Sequence, residues 1–270
     1  MKIRENSWKT GLLPALLLAT AAAIFVWFYL VLPQGPFSWD EAHHSTFSLL
    51  IARSLKEGSA RSLWRFTNVQ TYWPFLHSWV SSLFLLAGGY SYAAARGANV
   101  AIGWCALLLV FLLGRRLSSP SRDAVGLAAA ALMAASPMFL FLSSTAMIEN
   151  LGLLLTLWIL YFQVRSLKCG ESQSSGAKAA IVRRAPNPLL RPALVAGLLL
   201  GLLYLTKYEY AQFAGLGLVF FWLSRLMLPE GEGGRKIVLK GAAATSGGFL
   251  LVWLAWMAVP PPAAKWGILR

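Results

Sequence analysis

Apolar runs of roughly bilayer length recur from one end of this chain to the other, separated by short polar or basic clusters. A helix needs about 20 residues to cross the hydrocarbon core. Runs at 11–32, 94–114, 124–141, 147–164, 192–206, 208–224 and 241–259 are read as spans, the fifth of them short. Their Leu, Ala, Phe and Trp blocks are continuous, whereas barrel strands would alternate. The pattern predicts an all-α polytopic membrane protein. Between the first two runs lies a long loop, 33–93, within which 72–87 is apolar but short and interrupted by Pro74 and His77. In the same loop Phe47, Leu50, Ile51 and Leu55 share one side of a helical stretch, opposite Arg53, Lys56 and Glu57. That spacing suits a helix lying in the membrane interface, so the loop is expected to carry juxtamembrane helices.

Charge decides the orientation. The 270 residues are 57% hydrophobic and carry a formal charge of +14, with a mean hydropathy of +0.60. If 72–87 does not cross, 16 of the 24 Lys and Arg fall in 1–10, 115–123, 165–191 and 225–240, all on one side. The positive-inside bias makes that side cytoplasmic, with the N-terminus inside and the 33–93 loop outside. Run 11–32 is too long for a signal-peptide core and lacks a clear cleavage site, so it reads as a retained span. The basic residues punctuate apolar runs and form no stripe with interleaved aromatics. Membrane lipids, not nucleic acid, are the expected partner. Cys105 lies in an apolar run and Cys169 in a basic loop, a poor setting for a disulfide. The segments 170–188 and 230–234 read as connectors.

Only ten carboxylates exist, and two stand together just beyond the first run, in Trp39-Asp40-Glu41-Ala42-His43-His44. Two readings stay open for this pair. The carboxylates cap a helix N-terminus, or Asp40 takes a proton from a hydroxyl nucleophile while Glu41 binds substrate or structures the site. Asp40 and His44, four apart, are a weak candidate for a divalent metal ion. Glu149 opens the fourth run, where a carboxylate needs a partner or water; structural pairing and catalysis both fit. Arg96 is placed to hold a lipid phosphate or to snorkel. Lys207, beside Tyr208 and Glu209, either marks a turn or neutralises a leaving phosphate. His43, His44 and His77, the only histidines, all lie in the first loop and are candidates for substrate contact, as is Tyr208, which with Tyr210 could line the groove of a lipid donor.

Taken in order, these pieces resemble the GT-C superfamily of membrane glycosyltransferases, family 39 and its dolichyl-phosphate-mannose protein mannosyltransferase-like relatives. The matching elements are Trp39-Asp40-Glu41, Tyr72-Trp73-Pro74-Phe75-Leu76, 88–97 with Arg96, and Leu112-Leu113-Gly114-Arg115-Arg116-Leu117. Ala135-Ser136-Pro137-Met138-Phe139, Glu149 and Leu205-Thr206-Lys207 follow, so the resemblance covers about residues 11–215. It implies a GT-C-like helical bundle and transfer of a sugar from a polyprenyl-phosphate-linked donor to a protein, lipid or glycan acceptor outside the cytoplasmic membrane. Asp40 would be the catalytic carboxylate, Glu41 and Glu149 the other acidic positions, and Arg96 and Lys207 the donor-phosphate contacts. Two departures stand out: Trp73-Pro74-Phe75-Leu76 replaces a His-Pro-Pro-Leu-like motif, and Glu149 replaces an Asp. Many relatives are longer, so 1–270 is either a short form of one transmembrane module or a fragment of the longer pattern.

The chemistry stands on physical grounds. Displacing a lipid phosphate from an anomeric carbon leaves negative charge for cations to stabilise and needs a base for the acceptor proton. One direct displacement inverts the sugar. Other classes remain open: a transporter or flippase for lipid-linked sugars, or a noncatalytic envelope-assembly protein. Donor sugar, acceptor and oligomeric state are not legible.

Overall fold

The computed structural model describes residues 7–70, 74–118, 121–174, 190–227 and 232–258, and they form helices joined by short connections, with no strand among them. In chain order these are α1 (Ser7–Phe25), a π-helical turn (Val26–Val31), α2 (Trp39–Lys56), α3 (Ala60–Asn68) and α4 (Leu76–Gly88). Then come α5 (Tyr92–Leu117), α6 (Arg122–Ala134), α7 (Pro137–Ser144) and α8 (Glu149–Ser174). The chain continues with α9 (Leu190–Tyr204), α10 (Tyr208–Met227) and α11 (Glu232–Ala258). By contacts the described residues divide into two compact units that meet between 154 and 155, so the boundary falls within α8.

Among the described residues, three helical stretches are long and apolar enough to cross a membrane: Gly11–Val31, Tyr92–Leu117 and Arg235–Ala258. A multi-pass membrane protein requires several such helices. The expected span 124–141 differs from a single rod. It is two helices, α6 and α7, bent by 67° at Ala135-Ser136, and it makes a fourth candidate only if the pair is taken together. Pro137 occupies the first turn of α7, where its missing N–H costs nothing, so the new helix starts there. The runs at 147–164, 192–206 and 208–224 are helical as α8, α9 and α10, but none is among the stretches with spanning length and apolarity; α9 has 15 residues. The loop segment 72–87 folds from Leu76 onward as α4, whose 13 residues reach about 20 Å, short of a core about 30 Å thick. Tyr72 and Trp73 lie outside the described residues, as do 175–188 and 230–231 of the two expected connectors, whereas 170–174 continues α8 and 232–234 begins α11.

In the first unit α5 is the central post. It packs against α1, α4, α6 and α7, while α2 packs on α3 and α4. Ser91 caps α5, its Oγ accepting from the Ala94 N–H, and Gly89 enters the preceding turn at φ +79°, a conformation other residues resist. Ala52, Leu85, Ala94, Ala95 and Ala146 bury one apolar cluster, with Phe37 and Leu49 against it. Ala15, Phe111 and Ala130 bury another at the far end of α5. There the helices touch backbone to backbone: a Cβ on Gly126 would lie 2.6 Å from the Phe111 carbonyl oxygen. Small residues permit such approach, and membrane helices use it because apolar burial between them gains little over lipid.

In the second unit α9 packs on α10 and α11. Gly197 and Gly248 bring α9 and α11 together; a Cβ on Gly248 would lie 2.6 Å from the Leu194 carbonyl oxygen.

Candidate functional site

The acidic pair begins α2, and the two carboxylates go different ways. Ser38 is the N-cap in an extended conformation and Glu41 stands three residues into the helix. The Glu41 Oε2 accepts from the Ser38 N–H at 3.1 Å, the return half of a capping box. Ser38-x-x-Glu41 is the sequence form of that box and adds its own mark to the helix start at the acidic pair.

Glu41 does more than cap. Its Oε1 accepts from Arg96 Nε at 2.9 Å and its Oε2 from Arg96 Nη2 at 3.1 Å, a two-point ion pair across 55 residues of chain. The Ala146 N–H, in the connection between α7 and α8, donates to Oε1 at 2.9 Å. Arg96 Nη1 donates to the Gly35 carbonyl at 3.0 Å, and the guanidinium lies 5.0 Å from the Phe37 ring centre. Phe37 in turn meets the edge of Tyr92 at 4.6 Å. Glu41 is 3% exposed and Arg96 1%. One buried pair therefore fastens the loop 35–38, α2, α5 and the α7–α8 connection at a single point. Burial alone would raise the Glu41 pKa, but the bonds from Arg96, Ala146 and Ser38 outweigh it and hold the carboxyl below its ordinary value.

Asp40 faces elsewhere. It is exposed, and no hydrogen bond or ion pair engages it among the described residues. Beside it Trp39 is 88% exposed. His43, one turn on from Trp39, is also exposed and meets Phe47 at 5.2 Å. His44 turns inward and is buried, its ring 5.9 Å from His77. Among the described residues no group of three or more His, Cys, Asp or Glu comes together to hold a metal ion, so Asp40 and His44 acquire no third ligand.

Behind the ion pair runs a buried polar seam that was not anticipated. His77 Nε2 stands 3.3 Å from Asn99 Oδ1 and 3.4 Å from Ser81 Oγ. The Asn99 amide donates to the Thr145 and Met147 carbonyls, which turns its oxygen toward His77 and selects the Nε2–H tautomer. Asn150 closes the seam, its Nδ2 donating to the Asn99 carbonyl at 2.8 Å. Burial, reinforced by His44, drives the His77 pKa down to about 3, so the ring is neutral. Asn99 and Asn150 carry no periodic signal in the sequence; each is a single amide at the edge of an apolar run. Glu149 opens α8 and is partly buried, while its neighbour Asn150 enters the seam.

Lys207 belongs to the second unit, at the turn between α9 and α10. Its Nζ lies 4.0 Å from Glu209 Oε2 and 5.0 Å from the Tyr210 ring centre. Tyr208 packs on Tyr204 with ring centres 4.7 Å apart. The first unit thus brings Glu41 to Arg96 and His44 to His77, each pair buried, and leaves Asp40 and His43 exposed.

No protein-family model, curated protein or solved structure matches this chain.

Proposed function

We propose that this chain is a membrane glycosyltransferase of GT-C type, moving a sugar from a polyprenyl-phosphate donor to an acceptor at the outer face of the cytoplasmic membrane. The observation that supports it most is the division of labour between adjacent carboxylates. Glu41 is consumed by Arg96, Ala146 and Ser38, whereas Asp40 is exposed on the same rigid helix turn. A base must reach its substrate's proton and be held still while doing so. Asp40 satisfies both conditions because its neighbour is anchored by three residues from three separate segments. In this reading Arg96 is a positioning residue that acts through Glu41.

The step is a direct displacement. The acceptor hydroxyl loses its proton to the Asp40 carboxylate as its oxygen bonds to the anomeric carbon. The bond from that carbon to the phosphate oxygen breaks, and the electron pair leaves with the lipid phosphate. One such displacement inverts the sugar. The charge bias of the connecting segments supports an outward-facing loop 33–93.

The test is Asp40→Asn in the purified full chain, assayed with polyprenyl-phosphate donors carrying radiolabelled sugars. Loss of general-base help costs about 10²–10⁴-fold in rate, while the melting temperature falls only by what one first-turn carboxylate gains from the helix dipole, about 0.3–1 kcal/mol, because Asp40 makes no buried contact. Transfer at the wild-type rate would remove Asp40 from the chemistry. Lipid movement without product in the wild type would replace the transferase by a transporter.

A further inference from the structure

On the side of α2 away from Asp40 a groove of about 550 Å³ runs between α2 and the turn into α5. Its walls are largely apolar, with Phe37, Leu49, Leu85, Tyr90, Tyr92 and Ala95 among them. The volume is in the range of small-molecule sites, and the lining suits a hydrocarbon chain. Apolar walls alone would say nothing about an occupant. Two further features do.

The first is a hydroxyl without a partner. On α2, Thr46, Ser48 and Ser54 each return a hydrogen bond to the carbonyl four residues back. Ser45 does not: its Oγ is buried and unbonded, the residue is 7% exposed, and it lines the groove. A buried donor left unmade costs free energy, so a ligand oxygen at this point is favoured. The second is charge. Arg53 and Lys56 hold their cationic ends 5.9 and 5.7 Å from the ring centre of Tyr90, itself a wall of the groove. Neither forms an ion pair among the described residues. Ala42, Ser45, Leu49, Arg53 and Lys56 follow one another at three- and four-residue steps, so the groove and its cations share one helix face. Asp40 lies across the helix from that face and does not line the groove.

We infer that this groove holds an anionic membrane phospholipid, with a chain against Phe37, Leu49 and Leu85 and its phosphate at Arg53 and Lys56. A zwitterionic lipid brings its own cation to the same place and gains less. A free phosphate has no use for the apolar walls. The site is independent of the transfer reaction proposed above.

The test uses the full chain in detergent micelles doped with dioleoylphosphatidylglycerol or dioleoylphosphatidylcholine at equal mole fraction, with bound lipid counted by native mass spectrometry. The wild type retains the anionic phosphatidylglycerol about 30-fold better, equivalent to ~2 kcal/mol from two basic residues. The double variant Arg53→Gln/Lys56→Gln erases the preference. Arg61→Gln/Arg65→Gln, which removes the same charge from α3, keeps it. Leu49→Trp fills the groove and lowers retention with every charge in place. Inorganic phosphate in tenfold excess leaves the lipid bound. Equal retention of the two lipids, equal loss in both double variants, or displacement by phosphate would each overturn the assignment.

Discussion

The two ends of α5 are each tied by an arginine and a carboxylate, and the ties differ in kind. At the N-terminal end Arg96 meets Glu41 with side chains 2% and 4% exposed. At the C-terminal end Arg115 Nε meets Asp123 Oδ1 at 2.6 Å with side chains 20% and 33% exposed. The residues between, 97–114, carry no charge, and 19 steps of helix rise cover about 29 Å, close to the thickness of the hydrocarbon core. Arg115 and Asp123 stand where helix dipoles favour them, a cation in a last turn and an anion in a first turn. That end is closed mainly by backbone contact at Gly114 and Gly126. The other end is closed by charge taken out of water. Burial, not distance, separates a pair that decides local structure from one that decorates it.

The largest test of that contrast is Arg96→Met. Removing one partner of a buried pair leaves the other charged and uncompensated, at a cost of about 3–5 kcal/mol. Arg96→Met should lower the melting temperature in detergent severely and loosen the loop 35–38, read as faster hydrogen exchange there. Glu41→Gln/Arg96→Met removes both charges and should recover much of the loss. A single variant no worse than the double would show that the pair carries no special weight.

Little of this coupling could be read from the chain. Apolar runs announced helices, and Trp39-Asp40-Glu41 announced a helix start at the edge of the first loop. Arg96 and Glu149 attracted notice because charge is expensive beside apolar runs. What stayed hidden was partnership. Glu41 and Arg96 are 55 residues apart, and no local periodicity links a loop carboxylate to an arginine inside the next run. The Asn99–Asn150 seam was hidden for the same reason. The break at Ala135-Ser136-Pro137 was different: the proline was in view, but its meaning as a new helix start depended on the chain turning there.

The seam supplies the middle-sized effect. His77 has an ordinary pKa of 6.5 and a folded value of about 3. The unfolded chain therefore binds a proton that the folded one refuses between those values. Stability is fully present above pH 6.5 and falls as pH drops toward 3. Glu41, whose folded pKa is lowered, adds its own loss only below 4.5. His77→Gln keeps an N–H for Asn99 and should flatten the melting temperature between pH 6.5 and 4.5. An unchanged acid slope in that variant would mean another group drives it, and the seam would join the surface-like end of the comparison.

The smallest effect belongs to the half-buried outer tie. Arg115→Gln removes the charge from a pair that water and salt already screen, for a cost of about 0–1 kcal/mol. The variant should melt close to wild type, and the small difference should shrink further at 1 M salt, where the screening length is about 3 Å. Arg96→Met should show no such salt dependence, because ions do not reach a pair this deeply buried. If high salt relieved both variants equally, the inner pair would be hydrated after all, and Asp40 would lose the rigid neighbour that fits it for proton transfer.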